Sequence, residues 1–138
     1  MMGAAAASLL RGGRLALLLV LLALTGAARA DTPRETLAWA GPYQGLLPCA
    51  DCEGIVTLLE LTAEGHYRLS ERYAGRSETP FVTSGTFTWD DTGSVITLDG
   101  FDWPRRYMPG QGLLRALDLE GRVIKGDLAA AYVLTKAE

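Results

Sequence analysis

Histidine is nearly missing from this sequence: His66 is the only one among 138 residues, and cysteine occurs twice, at Cys49 and Cys52. With so few imidazoles and thiols, most catalytic chemistry has nothing to stand on. No serine-histidine-acid set, glycine-rich phosphate loop or supported carboxylate pair is present. Base catalysis would fall to acidic side chains that sit mostly on turns and polar faces, where solvated charge is the ordinary condition. The expectation is a non-enzymatic protein. Two cysteines and one histidine also fall short of the four protein ligands of structural zinc. Long apolar runs are scarce too. The longest, Leu15 to Leu24, is shorter than the roughly 20 residues a membrane span requires.

That run belongs to Met1–Ala30, which opens with Arg11 and Arg14 and closes on the small-x-small triplet Ala28-Arg29-Ala30. The layout predicts a cleaved secretory signal peptide, leaving one mature domain, 31–138. Its removal takes three basic residues and no acidic ones, leaving ten basic against sixteen acidic, a formal charge of −6. An acidic chain excludes nucleic acid and anionic membrane as natural partners. The first cysteine, Cys49, lies well inside the mature chain rather than directly after the leader, so no lipid anchor or transmembrane segment is expected, and the predicted location is the periplasm. There disulfides form and persist.

Alternation by twos is what the mature chain has in abundance. In "HYRLSERY", Tyr67, Leu69 and Tyr73 share one side, with His66, Arg68, Ser70 and Arg72 on the other; in "FVTSGTFTWD", Phe81, Phe87 and Trp89 oppose Val82, Ser84, Thr86 and Thr88. Such alternation marks half-buried antiparallel strands. Turn chemistry separates them at Ala63-Glu64-Gly65, Asp90 to Gly93, Pro109 to Gly112 and Glu120-Gly121. Strands are predicted over Gly41–Leu46, Gly54–Leu61, His66–Tyr73, Phe81–Trp89, Ser94–Leu98, Arg105–Met108, Leu113–Asp118 and Ala131–Thr135, with a helical turn or frayed arm over Thr32–Ala40. The fold class is all-β, about eight antiparallel strands, and closure into a barrel would remove exposed edges. A barrel of this size holds packed side chains or one small ligand. The aromatics Trp39, Tyr43, Tyr67, Tyr73, Phe81, Phe87, Trp89, Phe101, Trp103 and Tyr107 are read as core rather than cavity lining. Arg105-Arg106, after Pro104, is read as an anion-binding or simply solvated pair and is assigned no site.

The two cysteines sit in "GLLPCADCEGI", and the motif admits three readings. A redox-catalytic pair needs a helix N-terminus or a cation to stabilise a thiolate; the sequence offers Asp51 and Glu53 instead, which oppose it. A soft-metal site is open to Cu(I), which accepts two thiolates, with Met108 as a further ligand or simply a core filler. A disulfide between Cys49 and Cys52 would close a very small loop, contributing about 2 kcal/mol, and residue chemistry favours this reading while leaving the pair reducible.

The run Tyr43-Gln44-Gly45-Leu46-Leu47-Pro48-Cys49-Ala50-Asp51-Cys52-Glu53-Gly54-Ile55, followed by "TLLELTAEGHYRLSERY" and "GTFTW", resembles the N-terminal domain of the NlpE-type copper-resistance and envelope-stress lipoproteins, from about Gly41 to Tyr132. The resemblance implies a small lipocalin-like β-barrel in the bacterial envelope, copper tolerance, and an envelope-stress signalling partner in the Cpx response. It makes Cys49 and Cys52 the candidate copper(I) or redox-sensing positions, with Pro48, Asp51 and Gly54 as their setting. The best-known members are lipid-anchored and carry a second domain, so the expectation here is a soluble, single-domain relative. A lipocalin-like carrier of an apolar small molecule and a thiol-disulfide exchange protein are the alternatives.

Overall fold

The computed structural model describes residues 31–138; the proposed leader lies outside them. A short helix, α1 (Pro33–Thr36), with Pro33 at its first position where a missing N–H costs nothing, precedes eight strands. These are β1 (Gly41–Leu47), β2 (Gly54–Leu61), β3 (His66–Ala74), β4 (Phe81–Trp89), β5 (Ile96–Leu98), β6 (Arg105–Gly110), β7 (Leu113–Ala116) and β8 (Val133–Lys136), each antiparallel to its neighbours and closed into a barrel by β1 against β8. The expected all-β antiparallel barrel is thus what the chain forms.

The inward row of each strand builds the core. Tyr43, Leu59, Leu61, Tyr67, Leu69, Phe87, Ile96, Leu98, Tyr107, Leu114 and Leu134 are all buried, and every strand contributes at least one of them. Burying side chains of this size is worth roughly 1.5–3 kcal/mol each before entropy is counted. Side chains therefore fill the barrel interior. One end is covered by the segment before β1: Trp39 meets Phe87 and Trp89 edge-on, its indole N–H donates to the Arg34 carbonyl, and the Tyr43 hydroxyl donates to the Trp39 carbonyl. The β1–β2 and β3–β4 loops lie at the other end.

Several boundaries move. Ser94 and Val95 leave β5 because their N–H groups donate to Asp90 Oδ1, making them part of the β4–β5 turn. Pro109 and Gly110, read as turn, pair with Leu114 and Leu113, which shortens the connection to Gln111-Gly112 with Gly112 at φ +70°. β7 ends at Ala116, since the Asp118 carboxylate draws the Glu120 and Arg122 N–H groups into a turn. Ala129–Tyr132 forms a 3-10 turn that delays β8 to Val133. The core reading of the aromatics fails at Phe81 and Trp103, which are 67% and 50% exposed. Phe81 continues the inward row of β4 past the stretch that pairs with β5 and meets Tyr73 there; Trp103 lies on the β5–β6 loop.

Candidate functional site

The β1–β2 hairpin keeps full register from Gly41 opposite Leu61 to Leu47 opposite Ile55, and the loop Pro48–Glu53 closes it. Proline fixes one side of this loop and Gly54 the other. At Gly54, φ +151°, a Cβ would lie 2.6 Å from the Leu46 side chain, so only glycine lets β2 begin so close to β1. Within the loop Cys49 and Cys52 are joined as a disulfide, with Cα atoms 5.3 Å apart. Both cysteines are half-buried and Asp51 is exposed. The two sulfurs and an Asp51 carboxylate oxygen all lie within 4.8 Å of one another. Three donor atoms on one short loop form a patch that can share a soft cation once the bridge is open.

A second loop anchors this one. Arg76, after β3, donates to Asp51 Oδ2 at 2.6 Å, and the Glu53 N–H donates to the Ala74 carbonyl at 3.3 Å. Both partners of the ion pair are largely exposed, so its contribution to stability is small. Its electrostatic effect is more local. The sequence placed only negative charge beside the sulfurs; the fold brings a guanidinium onto one of those two carboxylates. Nothing in the sequence reveals this, because Arg76 and Asp51 meet only through the pairing of β2 with β3. Met108 lies on β6, outside the three-residue donor cluster, and His66 is exposed at the start of β3.

Sequence reasoning missed a second polar cluster at the same end of the barrel. Glu71, 8% exposed, accepts two hydrogen bonds from Arg105, Nη1 to Oε2 at 3.0 Å and Nη2 to Oε1 at 3.2 Å. Phe101 and Trp103 lie 4.6 and 5.7 Å from the same guanidinium. Burial alone would lower the Arg105 pKa, but the hydrogen bonds and charge of Glu71 outweigh it and hold the group above its ordinary value. The neighbouring Tyr107 hydroxyl is pushed up, chiefly by burial. A signal for this pair was available: Glu71 continues the inward row Tyr67, Leu69, and Arg105 is in phase with buried Tyr107.

The chain matches the family model described as the NlpE N-terminal domain over residues 43–127. It is 36% identical over 97 residues to Lipoprotein NlpE of Escherichia coli (strain K12), an alignment covering 70% of this chain and 40% of that protein. A crystal structure of a putative lipoprotein from Shewanella oneidensis superposes with a TM-score of 0.72 at 44% identity, covering 78% of this chain and 97% of that one. The crystal structure of the Cpx pathway activator NlpE from Escherichia coli gives 0.52 at 37% identity, covering 63% and 46%. This chain thus spans less than half the length of the Escherichia coli protein. The match runs from Tyr43 in β1 through β7 and includes the whole Cys49–Cys52 loop, and the chain belongs to the NlpE N-terminal domain family.

Proposed function

We propose that this is a non-enzymatic protein of the bacterial envelope, exported to the periplasm, whose Cys49–Cys52 pair binds one Cu(I) when reduced and otherwise reports thiol redox state to an envelope-stress partner. The observation that carries this reading is the donor cluster: two sulfurs and a carboxylate within 4.8 Å, on a half-exposed loop held at both ends by a paired hairpin. Family membership and the relative described as a Cpx pathway activator support the signalling part.

The chemistry balances as follows. A dithiol reductant supplies two electrons and two protons and is itself oxidised to a disulfide, while the Cys49–Cys52 bond opens to two thiols. Cu(I) then forms two Cu–S bonds and releases the thiol protons, with Asp51 near enough to contribute electrostatically. Soft thiolate donors suit Cu(I). A thiol-disulfide exchange enzyme draws no comparable support, since β2 rather than a helix follows the pair and supplies no N-terminus to stabilise a thiolate. The packed core counts against a carrier holding an apolar ligand deep in the barrel.

The test is a competition titration of the reduced protein against a chromophoric Cu(I) chelator. About one Cu(I) per chain is expected to be taken up, and Cys49→Ser with Cys52→Ser to abolish uptake. Unchanged uptake by the double variant ends the proposal.

A further inference from the structure

Next to the disulfide loop, a cavity of about 200 Å³ opens between Leu47, Pro48, Ile55, Trp103 and Leu119, with Glu71, Arg105 and Arg106 also lining it. Apolar side chains and the Glu71–Arg105 ion pair line it together. A buried ion pair is a poor way to stabilise a fold, because desolvation consumes most of the Coulomb gain and an apolar pair of equal volume does as well or better. The placement of Glu71 and Arg105 therefore calls for another explanation. Two N–H groups of the Arg105 fork are taken by Glu71 and the Tyr107 hydroxyl is a further partner, which leaves two of the five guanidinium N–H groups for other acceptors.

Charge selects the ligand. Glu71 cancels Arg105, and Arg106, whose Nη1 donates only to the Leu119 carbonyl at the rim, leaves the cavity with one net positive charge. A monoanion restores neutrality; a dianion overshoots and a cation is repelled. The cavity equals about seven waters of liquid volume, enough for a head group and the first carbons of a chain lying along the Trp103 and Leu119 wall. We propose that this mouth binds a small amphipathic monoanion, a carboxylate on a short apolar chain, with the carboxylate held by Arg106 and by the N–H groups that Arg105 has left.

The experiment is an NMR titration of the copper-free, disulfide-bonded protein, following the Trp103 indole and the Arg105 guanidinium. Sodium octanoate is expected to give saturable shifts confined to the mouth, with 1-octanol and octyltrimethylammonium at least about tenfold weaker. Octyl phosphate is expected to be weaker than octanoate. Arg106→Gln, which strands no buried partner, should weaken octanoate about tenfold and leave octanol unchanged. Glu71→Leu with Arg105→Leu removes both charges together but leaves Arg106, and should weaken octanoate while a preference over octanol remains. Equal binding of octanol and octanoate, tighter binding of octyl phosphate, no saturable shift at Trp103, or an Arg106→Gln variant that binds octanoate normally would each overturn the assignment. None of these outcomes touches the copper reading, which is measured on the reduced protein.

Discussion

Arg76 decides how negative the surroundings of the two sulfurs are. A Cu(I) dithiolate carries one negative charge, and the Asp51 carboxylate beside it adds another unless Arg76 compensates at 2.6 Å. Arg76→Ala is expected to lower Cu(I) affinity about threefold at low ionic strength, with the difference largely gone near 1 M salt, because both partners are solvent-exposed and screened. Competition titrations at two salt concentrations check this; a salt-independent loss would mean that Arg76 acts through loop structure instead. At this scale the sequence was legible only where neighbours in the chain are neighbours in space. Pro48, Cys49, Asp51, Cys52 and Gly54 could be read together, whereas Arg76 at Asp51 and Arg105 at Glu71 are joined across strands. The latter pair still left a trace, since a glutamate in an inward strand position needs a partner.

The strands themselves were the most readable elements, because period-two alternation and glycine turns are local. β2, β4 and the start of every strand from β1 to β4 fall where the alternation puts them. What moved was decided by side chains capping turns. Asp90 is the clearest case: its carboxylate accepts from the Ser94 and Val95 N–H groups and from the Thr92 hydroxyl, and its carbonyl receives the Gly93 N–H. Desolvation pushes its pKa up, but these hydrogen bonds outweigh it and hold the pKa below its usual 3.8. A depressed folded-state value means that the stabilisation is fully present above the unfolded value and disappears as pH falls through the folded one. Asp90→Asn should therefore lower the midpoint of thermal unfolding at pH 7, and the gap from the parent should close as the pH is brought below 3.8. A gap that persists undiminished at pH 2 would assign the loss to packing rather than to the carboxylate.

For the molecule as a whole, the copper reading requires a barrel that survives reduction. Cys49 and Cys52 are separated by three positions, so the loop they close is small, and opening it should cost about 2 kcal/mol. Far-UV circular dichroism of the reduced protein is expected to overlay that of the oxidised form, with the unfolding midpoint lowered by about 8 °C. Collapse of the spectrum on reduction would remove the state in which Cu(I) is bound. Closure was foreseeable from the cost of leaving edges open, but its register was not, because the pairing of first with last strand is the longest-range contact in the fold. That pairing is also the narrowest: Tyr43 with Lys136 and Gln44 with Thr135, against a ladder from Gly54–Ala74 to Leu61–Tyr67 between β2 and β3. It is the molecule's zip fastener, held at its last teeth. When those teeth part, two raw borders face outward at once, ready to dock on their counterparts in another copy.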